Sequence, residues 1–373
     1  MKRGTTVLLA LILPALALRA AEPMLGMYVH QHWPYQHPYA ARTWTVEDWR
    51  GYADGLKKLG YNAVMIWPVL ETMPEPLLRS DREHLELTGK VIDMLHKDFG
   101  MKVWIALCPN VAAKDAEAAK APFSERHFFY SDMRVNPGDM AAVRRMIQWR
   151  EKLFQYLRNA DAVSMIDSDP GGYPGSTNAE FVNLLVEHRK MLDRVRKGIE
   201  LDYWMHAGWE AYCRYYQTGD FAMGGDGERM DMLRRLIQAN PEPWGLANGY
   251  AQAEKLGNAR RVVSFNYGRI EGEPSFPMTN FGGTNAWEGG RLPGPRGQMG
   301  NAQTHCVQLP NTFAFARGAT GAAAPTAADY IAFANRLIPG QGETIVQGWS
   351  ALPLNDSAAM RRAAARLEKA AET

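Results

Sequence analysis

Short apolar runs alternate with stretches of helical periodicity from residue 24 to about residue 340. Met24 to His30 is apolar and predicts a first strand. Thr45-Val46-Glu47-Asp48 then has the form of a capping box with Asp in the acid position, and Trp49, Tyr52, Ala53, Leu56 and Leu59 recur on one helix face before Gly60. The unit repeats. Asn62 to Trp67 predicts a second strand, Ser80-Asp81-Arg82-Glu83 opens a helix carrying Leu85, Val91, Ile92, Leu95 and Phe99, and Lys102 to Cys108 predicts a third strand. A loop from Pro109 follows, longer than the usual connection of about two to six residues, and then a helix from about Asp139 to Arg158. The strand Ala162 to Ile166 is uncharged, which suits a position covered on both faces of a parallel sheet, and it runs into Asp167-Ser168-Asp169-Pro170-Gly171-Gly172-Tyr173. After a helix from about Asn178 to Arg196, strands five to seven fall at Glu200 to His206, Trp244 to Ala247 and Arg261 to Tyr267. Gly268 to Gly300 is too Gly-rich for a regular element, so the eighth strand is expected within Asn301 to Leu309, followed by helical segments near Thr326 to Leu337 and Ser357 to Glu368. This alternation predicts an α/β fold, a (β/α)8 barrel of TIM type with long βα loops on the active-site face. An open doubly wound sheet is the alternative, but no G-x-G-x-x-G follows the first strand.

Composition changes the picture at the chain ends and in the class of partner. Lys2 and Arg3, the apolar run Val7 to Leu18 and the small residues Ala20 and Ala21 have the layout of a secretory signal. The expected division is a signal peptide over 1–21 and a single catalytic barrel domain over 22–373, secreted or periplasmic after cleavage near Ala20 or Ala21. That run is shorter than the roughly 20 residues of a membrane span, and no later run approaches it, so no span is expected in the mature protein. The last helix, rich in Ala and Arg, meets no Gly or Pro stop, which points to a fraying end or a missing C-terminal portion. With 42 basic against 40 acidic residues there is no electrostatic footprint for nucleic acid. Cys108, Cys213 and Cys306 allow one disulfide at most, match no zinc-finger spacing, and each reads as a buried small hydrophobe. The sequence asks for no cofactor and leaves the oligomeric state open.

In a barrel the strand ends collect in one mouth. Side chains alternate along a strand, so Asp167 and Asp169 would project to the same side and face one cavity. The competing structural reading is that one aspartate caps the next helix and the other holds the Pro-Gly turn. The same mouth would gather His30, His32, Trp33 and Tyr35 after strand one, Glu71 after strand two and Tyr173 after strand four. It would also gather His206, Trp209 and Glu210 after strand five, and Tyr267, Arg269, Glu271 and Glu273 after strand seven. Carboxylates among flat aromatic rings suit a sugar, whose apolar face packs on the rings while its hydroxyls seek acids and arginine. Glycosidic cleavage needs two carboxyl groups, one to protonate the leaving oxygen and one to act as nucleophile or to activate water. Asp169 is assigned as general acid, with Asp167 orienting it or raising its pKa by like-charge proximity. Glu271 is the preferred second carboxylate and Glu273 the reserve; the remaining mouth residues are assigned to substrate binding, and Trp67 to the core.

With acids at the end of strand four, the chain resembles the glycoside hydrolase (β/α)8 barrels as a class, loosely the chitinase-like and hexosaminidase-like ones. The chitinase-like glutamate two residues on is replaced by Gly171, and the His-Gly-Gly-Asp-Glu pattern of hexosaminidases is absent. The resemblance implies a hydrolase acting on a poly- or oligosaccharide, and the signal layout implies that it is exported. Two alternatives stand beside it. His30-x-His32, with His206 as a strand-five ligand, resembles the amidohydrolase signature, although the strand-four lysine or glutamate, the strand-six histidine and the strand-eight aspartate of that family are missing. A catalytically inactive barrel that binds glycan would carry the same sequence features.

Overall fold

The computed structural model describes residues 23–31, 41–127, 131–168, 170–266, 285–292, 294–302, 308–351 and 356–372. Eight parallel strands close into a barrel: β1 (Met24–Val29), β2 (Ala63–Ile66), β3 (Lys102–Leu107), β4 (Ala162–Ile166), β5 (Glu200–Trp204), β6 (Trp244–Ala247), β7 (Val262–Asn266) and β8 (Gly297–Ala302). Each strand pairs with its neighbours in sequence, and β8 closes on β1 with Met24 opposite Gly297. This is the (β/α)8 architecture that the alternating pattern predicts.

Helices α1 (Val46–Lys58), α2 (Arg79–Phe99), α3 (Met140–Phe154) and α4 (Asn178–Val195) follow the first four strands. Two helices, α5 (Trp209–Thr218) and α6 (Asp226–Ala239), follow β5. After β8 come α7 (Leu309–Ala319), α8 (Ala327–Leu337), α9 (Gly342–Ala351) and α10 (Ser357–Ala371). Their starts are written locally. The Asp48 N–H donates to Thr45 Oγ1 and the Thr45 N–H donates to the Asp48 carboxylate at 2.8 Å, and the same reciprocal box opens α4 at Thr177 and α8 at Thr326. Among the described residues no helix is long and apolar enough to cross a membrane.

The strand register decides which side chains fill the barrel. Pairing of Tyr28 with Met65, Ser164 with Asp202, Trp204 with Ala247 and Phe265 with Met299 puts these residues on one face. Contacts across the barrel make that face the inner one: the Trp204 and Phe265 ring centroids are 3.9 Å apart, and Tyr28 stands edge-on to Trp204 at 5.7 Å. Below these rings, Arg296 donates to both oxygens of Glu200 at 2.7 and 3.1 Å, and the Ser164 hydroxyl donates to Asp202 at 2.7 Å. Gly245 leaves room for this layer, since a Cβ there would meet the Arg296 guanidinium and would lie 2.9 Å from the Asp202 carboxylate. Burial, helped by the neighbouring Glu200 charge, pushes Asp202 up to about 7 against the pull of Arg296 and Ser164.

The eighth strand departs from the expectation. It begins at Gly297, inside the Gly-rich stretch, where a short helix Asn285–Gly290 also lies. Gly297 has φ 124°, and a Cβ on it would overlap the backbone of Met24. Gly297, one of the glycines that erase the strand pattern, is thus what lets β8 approach β1. Leu309, the expected end of that strand, instead begins α7.

A smaller core lies outside the barrel. Phe313 of α7 stacks on Phe333 of α8 at 4.6 Å, and Trp349 of α9 stacks on the same ring at 5.9 Å, with Tyr330 and Ile345 beside them. It fastens the three C-terminal helices to the last helix of the barrel.

Candidate active site

Along β4, Ser164 faces the barrel axis, so alternation brings Ile166 and then Ser168 to the same side. Along β5, Asp202 and Trp204 bring His206 to that side. The two meet: Ser168 Oγ and His206 Nδ1 are 2.7 Å apart. On β1 the same inner row ends in His30, whose ring stands edge-on to Tyr28 at 5.2 Å and 6.2 Å from Trp67. The mouth therefore has a floor of Tyr28, Trp67, Trp204 and Phe265, with the polar groups of His30, Ser168 and His206 above it.

Asp167 points the other way. Its fully buried carboxylate accepts four hydrogen bonds: from the Tyr203 hydroxyl at 2.7 Å, and from the backbone N–H groups of His206, Ala207 and Gly208 at 3.1, 2.9 and 3.0 Å. Burial raises its pKa, and the Tyr203 hydroxyl, the nearby imidazole and the backbone donors oppose that rise. The expectation that Asp167 faces the cavity is corrected in its orientation. The strand ends at Ile166, and the outward face that Asp167 occupies is that of Tyr203, which packs on Phe181 of α4. Asp167 fastens the loop after β5 to the end of β4 and so sets where His206 stands.

The other expected residues divide. Glu71 is 1% exposed and accepts from the Cys108 N–H at 2.6 Å and from the Trp67 indole N–H at 3.2 Å. Burial raises its pKa against the field of Arg150. Trp209 lies in the core, stacked on Phe181 at 4.5 Å with its N–H donating to Ser176, because the first turn of α5 turns it inward. Glu210 accepts from the Asn178 N–H at 2.9 Å, at the electropositive start of α4. Tyr173 is half-buried and donates its backbone N–H to Cys213. Asp169, His32, Trp33, Tyr35, Tyr267, Arg269, Glu271 and Glu273 lie outside the described residues.

Three of the four buried arginines among the described residues hold the loops at this end of the barrel, and no sequence signal marks them. Arg150 donates to the carbonyls of Cys108, Pro109 and Val111 at 2.6–2.8 Å, and burial lowers its pKa to about 10. Arg42 donates to the carbonyls of Gln31, Phe123 and Arg126, while Arg126 pairs with the buried Asp81 at 2.6 Å. Burial and the Arg126 charge bring Arg42 down to about 9. Together they clamp the loops after β1, β2 and β3. Nothing local marks them, because arginine is by default a surface residue.

Cys108 and Cys213 are both buried, and burial pushes the Cys213 thiol up to about 12. Among the described residues, no three His, Cys, Asp or Glu side chains converge as metal ligands. A cavity of about 560 Å³ between α1 and α8 lies on the helical outer wall, away from the strand ends.

No family model matches the chain, and no curated sequence matches it. Among solved structures it is similar to a Thermobaculum terrenum O-GlcNAc hydrolase mutant, with TM-score 0.51 and 10% identity over 90% of this chain and 66% of that one. It is also similar to a GH138 enzyme targeting pectin rhamnogalacturonan II, with TM-score 0.50 and 10% identity over 91% of this chain and 44% of that one. An alpha-galactosidase from Lactobacillus brevis aligns with TM-score 0.40 and 10% identity over 79% of this chain and 40% of that one. The chain thus spans between two fifths and two thirds of the length of these glycoside hydrolases. At 10% identity, what the first two share with it is the fold.

Proposed function

We propose that this protein is a glycoside hydrolase, exported after signal cleavage near Ala20 or Ala21, that cleaves a poly- or oligosaccharide by carboxylate acid/base catalysis. The observation that carries the reading is the strand-end cluster, in which the buried rings of Tyr28, Trp67, Trp204 and Phe265 lie beneath the polar groups of His30, Ser168 and His206. A sugar ring has one apolar face for such a floor and hydroxyls for such a rim. The names of the solved structures of similar fold belong to the same reaction class.

In this mechanism Asp169, next in the chain to Ser168, protonates the leaving oxygen. Glu271, with Glu273 as the alternative, acts as nucleophile or activates water. Asp167 is a positioning residue, since its four hydrogen bonds hold the backbone that carries His206. The Ser168–His206 pair binds a substrate hydroxyl.

The test is a screen of the purified mature protein against plant, algal and host glycans, beside Asp169→Asn and with chelator added in parallel. Sugar release that the Asn variant abolishes and the chelator leaves intact is the expected result. Release that survives in Asp169→Asn removes that residue from the mechanism. Release abolished by chelator points to a metal hydrolase, and binding without release to an inactive glycan-binding barrel.

A further inference from the structure

We propose that the rim beside β4 and β5 carries a second carbohydrate subsite, an aromatic platform on α5 that holds a polysaccharide chain where it extends beyond the mouth. The proposal rests on the carbohydrate reading of the mouth and adds the class of substrate, a polymer. β5 is followed by two α-helices where β1, β2 and β4 have one each; α6 packs beside α4, and α5 is the extra element. It rests on the loop after β4. The Tyr216 hydroxyl donates to the Pro170 carbonyl at 3.2 Å, and a Cβ on Gly172 would lie 3.0 Å from both the Tyr212 and Tyr216 rings. Pro170 is two residues from Ser168, so the platform is continuous with the mouth.

Its surface is built of rings. Tyr215 lies 5.2 Å from Tyr216 and 6.1 Å from Tyr212, and Phe221 lies 6.1 Å from both Tyr212 and Tyr215. Phe221 is 52% exposed. The Arg134 guanidinium, reaching from the hairpin in the loop after β3, stands 3.7 Å from the centre of the Tyr216 ring and fixes it from the other side. Isolated exposed aromatics are ordinary, but a contiguous group beside a candidate mouth marks a contact surface. Phenol rings joined by hydroxyls and a guanidinium match the alternating apolar and hydroxylated surface of a glycan.

The experiment is affinity electrophoresis through gels containing pectin, xylan, β-glucan or glycol chitin, comparing the wild type with Phe221→Ala and Tyr215→Ala. Thermal unfolding confirms that both variants fold. Retardation of the wild type in at least one gel is expected, with each variant weakening that binding about five- to tenfold. Turnover of a small chromogenic glycoside, which reaches the mouth alone, should stay unchanged in both. Absence of retardation in every gel, equal retardation of the variants, or a parallel loss on the small glycoside would each overturn the platform. So would a shift from dimer to monomer in Phe221→Ala with retardation unchanged, which would assign the rings to a contact between copies. A protein that is retarded yet releases no sugar keeps the platform and loses the hydrolase. One that cleaves the polymer with both variants unimpaired does the reverse.

Discussion

The Asp167 carboxylate is closed to water and accepts four hydrogen bonds, so its removal acts first on the fold. Asp167→Ala leaves three backbone N–H groups and a buried phenol without an acceptor, and should lower the free energy of unfolding by about 3–5 kcal/mol. Asp167→Asn keeps one acceptor oxygen but turns an amide donor toward other donors, for a loss of about 1–3 kcal/mol. Urea unfolding measures both; an unchanged midpoint would contradict the fastening role. Asp202 carries a pH dependence of definite sign. Its pKa is raised from 3.8 to about 7 by burial, so across that interval the folded protein holds a proton that the unfolded chain has released. The stabilisation is complete below the lower value and is lost as pH rises through the upper one, by up to about 1.4 kcal/mol per pH unit. Asp202→Asn should therefore gain on the wild type in urea unfolding between about pH 4 and pH 7 and keep a constant margin above that, whereas parallel behaviour would refute the assignment. At this scale side-chain direction is not written locally in the sequence. Alternation along β4 is local, but which way Asp167 faces is set by the register of β4 against β5, with Ser164 opposite Asp202, 38 residues away in the chain. The inward turn of Trp209 and the buried arginines depend on equally distant partners.

Elements were easier to read because their signals are local. The Thr45 box opens α1 where the sequence indicates, and Ala162 to Ile166 is β4 without adjustment. Thr45→Ala should cost about 1 kcal/mol, the usual effect of losing one cap on a surface helix, visible as a small drop in Tm. β8 is the counterexample. Its glycines carry no periodic signal, and the close approach to β1 that Gly297 permits exists only once the barrel closes. Gly297→Ala combines an unfavourable positive φ with a backbone clash against Met24, and should destabilise by about 2–4 kcal/mol. Calorimetry showing wild-type stability would mean that the seam between β8 and β1 is looser than drawn.

At the scale of the whole molecule there are two cores, one in the barrel and one among Phe313, Tyr330, Phe333, Ile345 and Trp349. Trp349→Ala should loosen α8 to α10 while leaving the barrel intact. Limited proteolysis would then cut first in the connection between α7 and α8, and a single cooperative loss of the whole chain would argue against separate cores. The ring layer under the mouth has a spectroscopic consequence. Trp67 and Trp204 are each 2% exposed there, and Tyr28 is close enough to Trp204 to pass excitation to it. A molecule settling on this floor changes the polarity around two indoles, so the protein's intrinsic fluorescence serves as a label-free signal of occupancy.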